Sequence, residues 1–134
     1  MNSTRKLLIF TALAEGATGV VLFVYPPIIV QLLFGEPIAG AGLILGRLAG
    51  ICLLALAVAC WPATNSLRAL YGMLVWSVLA ALCLAVVGFR GTAGVLLWPM
   101  IGVHVALGAL LARAWGRERR AVTSGEKTIR SNPQ

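Results

Sequence analysis

Four long apolar stretches follow one another along the chain, and short connections separate them. Each stretch is close to the ~20 residues that a helix needs to cross the bilayer. Because short loops make sequential helices antiparallel, the pattern predicts an all-α, integral membrane four-helix bundle over residues 1–115. The predicted spans are approximately residues 7–25, 40–61, 69–89 and 94–115.

The first apolar stretch is too long for one span, because it continues to Phe34 and would measure roughly 42 Å as a single helix, against a hydrocarbon core of ~30 Å. Tyr25, Pro26 and Pro27 interrupt it. Consecutive prolines remove two backbone donors and restrict the preceding residue, so we expect the first span to end near Tyr25. The sequence "PPIIVQLLFGEP" then predicts a short helix at the outer surface. The alternative is a kinked continuation of the span.

The composition agrees with a membrane protein: 60% of the residues are hydrophobic, only 11% are charged and the mean hydropathy is +0.93. Such a chain has too few charged residues to cover a water-facing surface. We therefore expect a multi-pass protein of the inner or plasma membrane. Asp is absent and there are three Cys and one His, so neither a catalytic set nor a metal site is predicted, no cofactor is expected, and the chain is not expected to be an enzyme.

Most Lys and Arg residues lie at one side of the predicted spans, which favours an orientation with both termini in the cytoplasm. The net charge is +7, but this distribution indicates membrane orientation rather than binding of nucleic acid. Residues 116–134 are predicted to be a disordered basic cytoplasmic tail. We expect this tail to lie against anionic lipid headgroups; docking of a protein partner is the alternative.

Four of the polar residues inside the predicted spans lie far from the span ends near the cytoplasm. Helical rise places Glu15 and Ser77 about 13 Å, His104 about 16 Å and Arg47 about 21 Å above the cytoplasmic boundary. A charged side chain inside a span costs roughly 2.5–3.5 kcal/mol, so such residues usually face the bundle interior and pair with one another. We therefore expect an intramembrane polar cluster of Glu15, Arg47, Ser77 and His104.

Small residues accompany the polar ones on the same helix faces. Such faces allow helix backbones to approach closely within lipid, so glycines in three spans are predicted to mediate helix packing. They are Gly16, Gly19, Gly42, Gly46, Gly50 and Gly108.

The role of Glu15 has three interpretations. It forms a structural ion pair with Arg47 or His104, it belongs to a functional polar site, or it contacts lipid or a second subunit. His104 by itself is best explained as a neutral core residue that makes a hydrogen bond. A haem ligand is less favoured because a second axial ligand is missing.

Two resemblances extend this interpretation. The segment "ALAEGATG" resembles the first span of the small multidrug resistance transporters, which implies that Glu15 exchanges protons for lipophilic cations; the second span lacks that family's Pro-Thr-Gly features. The segments "GATGVVLFVYPP", "LLFG" and "GRLAGICLLALAVACW" resemble the DoxX-like small bacterial membrane proteins. This second resemblance implies a four-helix membrane architecture and, for some members, association with quinone-linked complexes.

The sequence therefore favours a small, non-enzymatic membrane subunit or helix-packing partner. We expect the lipid bilayer and either a second copy or another membrane protein as its partners. A proton-coupled transporter that uses Glu15 is one alternative, and a quinone- or redox-linked accessory subunit is the other.

Overall fold

The computed structural model describes residues 3–61, 66–91 and 93–131. The described chain folds into five α-helices and is all-α, as predicted. They are α1 (Ser3–Val24), α2 (Pro26–Phe34), α3 (Ala41–Ala59), α4 (Ser66–Phe89) and α5 (Leu97–Ser131).

Four of these helices, α1, α3, α4 and α5, are long and apolar enough to cross a membrane. Their positions correspond to the four predicted spans. The end of the molecule at which α1 and α4 begin is called the basic end here, because Arg5, Lys6, Arg68 and Arg113 lie there. The opposite end carries α2.

The break between α1 and α2 lies at Tyr25, as the two prolines predicted. Pro26 is the first residue of α2, where its missing N–H costs no helical hydrogen bond. The helix ends at Gly35, which adopts a left-handed conformation and donates its backbone N–H to the carbonyl oxygen of Gln31 at 2.8 Å. A separate short helix therefore replaces the kinked continuation.

The loop that precedes α5 holds the end of α2 in place. The backbone N–H of Gly94 donates to the carbonyl of Leu33 at 2.8 Å, and that of Leu96 donates to the carbonyl of Leu32 at 2.9 Å. These carbonyls are in the last turn of α2 and have no partner within the helix. The loop thus satisfies them and joins the two halves of the chain at this end.

The long helices pack mainly as two antiparallel pairs, α1 with α3 and α4 with α5. Aromatic contacts mark both ends of the second pair. The Tyr71 and Trp115 ring centroids are 6.2 Å apart at the basic end, and those of Phe89 and Trp98 are 5.8 Å apart near the α2 end. Contacts between the pairs are fewer and involve α1 with both α4 and α5.

A buried apolar cluster joins the two pairs near the basic end. It combines side chains from α1, α4 and α5 with the residue that follows α3. We call this set the core cluster; its members are Leu8, Ala12, Cys60, Ala69, Leu70, Met73, Leu107 and Leu111.

The tail differs from the prediction. Residues 116–131 were expected to be disordered, but α5 continues as one helix of 35 residues through Ser131. Residues 132–134 lie outside the described part. The extension has good helix formers and no proline before residue 133, and the Arg119 guanidinium lies 5.1 Å from the Trp115 ring one turn earlier. The absence of an apolar face did not prevent helix formation.

Candidate functional site

A buried polar layer lies directly above the core cluster, on the side away from the basic end. Glu15 follows Ala12 by one turn of α1, and Ser77 follows Met73 by one turn of α4. On the antiparallel helix α5, His104 precedes Leu107 by one turn. All three side chains are buried, with exposed fractions of 7% for Glu15, 2% for Ser77 and 9% for His104. Three of the four predicted polar residues therefore point into the molecule.

Trp76 is a further member of this layer, which sequence reasoning missed. Its indole N–H lies beside the Glu15 carboxyl, but the two groups do not reach hydrogen-bond geometry. Trp76 Nε1 is consequently buried without a hydrogen-bond partner among the described residues. The signal was present in the sequence, because Trp76 directly precedes Ser77 at a depth where an interfacial anchor is not expected. We call Glu15, Trp76, Ser77 and His104 the polar layer.

His104 supplies a second unpaired polar atom. Its Nδ1 is buried and has no hydrogen-bond partner within the described chain. A buried polar group without a partner costs roughly 1–3 kcal/mol, so two such atoms in one layer are unfavourable. The Thr11 hydroxyl, below the layer, is satisfied: it donates to the carbonyls of Leu7 and Leu8 at 3.1 and 3.0 Å. The unpaired atoms are therefore a property of the polar layer and not of the whole interior.

Arg47 does not join the polar layer, which corrects the expectation that it forms a cluster with Glu15, Ser77 and His104. Its side chain is exposed, on the same face of α3 as Ile44, Ile51 and Val58. Among the residues that the structure describes, it makes no ion pair. The reason is the rotation of successive residues around the helix axis. Gly46 faces Pro26, and the next side chain, that of Arg47, points about 100° away from that direction.

The predicted packing glycines differ in how closely atoms of neighbouring helices approach them. Gly19 and Gly50 make the closest approach, between α1 and α3, and a Cβ on Gly16 would lie 3.5 Å from Ala57 Cβ in the same pair. Gly42 and Gly46 lie against Ile38 and Pro26, so they accommodate α2 and its connection. Gly108 is looser: a Cβ there would lie 3.9 Å from the Ser77 Cβ.

Metal-binding side chains do not converge in this site. Within residues 3–61, 66–91 and 93–131, no three His, Cys, Asp or Glu residues form a group that could hold a metal ion. The cysteines are free; Cys60 is buried, and Cys52 and Cys83 are exposed. The chemistry available to the polar layer is therefore one carboxyl group, one imidazole, one hydroxyl and one indole N–H.

Comparison with known proteins gives no match: no protein-family model, no curated protein and no solved structure is similar to this chain. The functional conclusions below therefore depend on the residues and their geometry.

Proposed function

We propose that the protein is a non-enzymatic subunit of the inner or plasma membrane that packs against a second membrane protein through the exposed face of α3. The observation that supports this is the position of Arg47. It is six residues after Ala41, so roughly 9 Å from the start of α3, on a face that is otherwise apolar.

An unpaired guanidinium on a lipid-facing surface is unfavourable. Insertion scales assign about 2.5–3.5 kcal/mol to an arginine at the centre of a span, and less where the side chain can extend to the interface. A carboxylate on a neighbouring helix offsets this cost. The chain's own intramembrane acid, Glu15, is buried in another face, so a second copy does not present it to Arg47. The proposed partner is therefore a different membrane protein with an acidic side chain at matching depth.

The test compares Arg47→Gln with Arg90→Gln, which removes a cation that is also exposed but lies outside the predicted spans. Each full-length variant is solubilised from its native membranes in mild detergent, and its size and co-purifying proteins are quantified at several concentrations. We expect wild type and Arg90→Gln to form the same stoichiometric hetero-complex, and Arg47→Gln to lose most of it. A partner-free monomer, or an association that Arg47→Gln leaves intact, would contradict the proposal.

The same proposal includes an orientation. Both termini lie in the cytoplasm, α2 lies at the outer interface, and the basic extension of α5 lies near anionic headgroups. The distribution of Lys and Arg supports this orientation. Reporter fusions after Gln134 and within the loop at Gly91 test it: an enzyme that is active only in the cytoplasm should work in the first fusion and fail in the second.

A second candidate function is proton-coupled transport that uses Glu15. The observation that favours it is a buried carboxyl that makes no ion pair with any described residue, in a layer where two polar atoms also lack a partner within the described ranges. This candidate agrees with the resemblance to small multidrug resistance transporters. The quinone-linked alternative is supported by resemblance alone.

Glu15→Gln separates this candidate from a structural role for the carboxyl. The probe is tetraphenylphosphonium, a lipophilic cation, and its binding to purified protein is measured from pH 5 to 9. A transporter should show pH-dependent binding that Glu15→Gln removes while helix content is retained, and Glu36→Gln should behave like wild type. Absence of binding to the wild type would reject transport of such cations.

A further inference from the structure

A lateral cleft of about 1090 Å³ opens between α1, the second half of α3 and the first turns of α4. It exists because α3 and α4, although consecutive, pack on different helices and leave a gap between the two pairs. Its volume is at or just above the upper end of the range for small-molecule sites, about 300–1,000 Å³. Small and apolar side chains form its walls, among them Gly16, Ala17, Val20, Ala57, Ala69 and Gly72.

Two polar or amphipathic side chains lie at the basic end of this cleft. Arg68 lines it, is exposed, and has no ion pair among the described residues. Trp61 lines it as well and is 49% exposed. Trp and Arg are residues typical of the boundary between hydrocarbon and headgroups. The cleft therefore combines an apolar interior with a cationic mouth at the depth of lipid phosphates.

We propose that the lateral cleft binds one anionic glycerophospholipid. Its phosphate pairs with the Arg68 guanidinium, and one acyl chain lies along α1 against Gly16 and Ala17. Glycine and alanine walls leave a smooth surface for a linear chain. The charge of the mouth selects an acidic headgroup, since each basic residue near the surface contributes about 1 kcal/mol to binding of anionic lipid.

The length of the cleft distinguishes a lipid from a transmembrane helix as its occupant. The α1 residues that line it extend from Ala12 to Val20, which is roughly 12 Å of helix. A spanning helix needs a groove of ~30 Å, whereas an acyl chain that enters from one leaflet occupies only about half of that thickness. On α3 and α4 the lining extends only from Leu54 to Trp61 and from Arg68 to Gly72, within roughly 10 Å of the basic end. Two of the three walls therefore lie within one leaflet.

This site borders the proposed partner face at Val58, which lines the cleft, but Arg47 is far from it. The cleft opens at the basic end, whereas Arg47 lies 11 residues before Val58, roughly 17 Å along α3. It is also distinct from the basic extension of α5, because residues 116–124 of that extension do not line the cleft. Loss of lipid binding and loss of the partner complex are therefore separate outcomes.

The experiment uses delipidated full-length protein in detergent and two lipids with the same acyl chains, phosphatidylglycerol and phosphatidylcholine. Native mass spectrometry measures how much of each lipid remains bound. Ala17→Phe fills the cleft, and Ala14→Phe makes the same change at an exposed α1 position that does not line it. Arg68→Gln removes the proposed phosphate ligand, and Arg90→Gln removes a cation elsewhere.

We expect the wild type to retain one phosphatidylglycerol in preference to phosphatidylcholine. Arg68→Gln should weaken this binding by about fivefold, Ala17→Phe should remove it, and both control variants should match the wild type. Equal retention of the two lipids, or binding that Ala17→Phe and Arg68→Gln leave unchanged, would overturn the proposal. If circular dichroism shows that Ala17→Phe does not fold, the phosphatidylglycerol retention of the surface variant Arg68→Gln tests the proposal instead.

The fluorescence of Trp61 provides a second measurement of where the lipid binds. Phosphatidylglycerol with brominated acyl chains quenches tryptophan fluorescence at short range, and Trp61 lines the cleft. Saturable quenching should decrease in Trp61→Phe and persist in Trp98→Phe, whose side chain lies near the α2 end. Identical quenching curves for these two variants would place the lipid elsewhere and reject the site.

Discussion

Gly19 of α1 and Gly50 of α3 bring the backbones of their two helices into direct contact. A Cβ atom on Gly50 would lie 2.7 Å from the Gly19 carbonyl oxygen and 2.6 Å from the Phe23 backbone nitrogen, and a Cβ on Gly19 would lie 2.9 Å from the Gly50 carbonyl oxygen. In lipid, where the hydrophobic effect does not drive association of helices, such close approach provides the packing energy. This contact holds the α1–α3 pair together.

Gly50→Ala should therefore separate α1 from α3. Both neighbouring atoms belong to the backbone and cannot rotate away, so we expect a loss of about 1–3 kcal/mol in the free energy of unfolding, the usual range for overpacking. Unfolding in mixed micelles measures it. Gly102→Ala is the control, because a Cβ there has no neighbour within 4 Å. Equal stability of the two variants would show that the α1–α3 contact is looser than described.

The attachment of α2 to the loop before α5 is predicted to depend on Gly94. A Cβ on this residue would collide with the Leu32 carbonyl, so Gly94→Ala should disrupt the Gly94–Leu33 and Leu96–Leu32 backbone hydrogen bonds. At a net 0.5–1.5 kcal/mol each, their loss should make hydrogen exchange at these two amides roughly tenfold faster. The spans should keep their protection. Gly116→Ala, which meets no neighbour within 4 Å, should leave both amides unaffected.

The core cluster should be more sensitive to truncation than the outer face of the same helix. Leu70 is fully buried, whereas Leu79 is 57% exposed. Leu70→Ala removes packing contacts and leaves a cavity, for which we expect a loss of about 2–5 kcal/mol. Leu79→Ala, which truncates an exposed side chain, should cost much less. Unfolding free energies measured in one detergent mixture compare the pair; similar losses would place the core elsewhere.

His104→Leu should not destabilise the isolated protein. The substitution removes a buried nitrogen that has no hydrogen-bond partner in the described part of the chain, which relieves roughly 1–3 kcal/mol and offsets imperfect packing of the leucine. A thermal unfolding midpoint equal to or above that of the wild type is the expected result. A clear decrease would mean that the Nδ1 atom has a partner in the folded protein. Val103→Leu, an exposed neighbour on the same helix, controls for general effects of leucine at this depth.

Much of the fold was predictable because it depends on local properties of the chain. The lengths of the apolar stretches predicted the four long helices, and the proline pair after Tyr25 predicted the break between α1 and α2. The burial of Glu15 and His104 agrees with their position among small residues, although the same argument failed for Arg47. Each of these inferences uses only the helical rise, the geometry of proline and the cost of a polar group in an apolar environment.

The tertiary structure decided the rest. Helical rise gives the depth of Arg47 but not the direction in which it points, which depends on how Gly46 and Gly50 pack on α2 and α1. Helix pairing determines three further features: the α1–α3 and α4–α5 pairs themselves, the position of Trp76 beside Glu15, and the lateral cleft. The pairing depends on close packing between surfaces from distant parts of the chain, so no single stretch of sequence determines it.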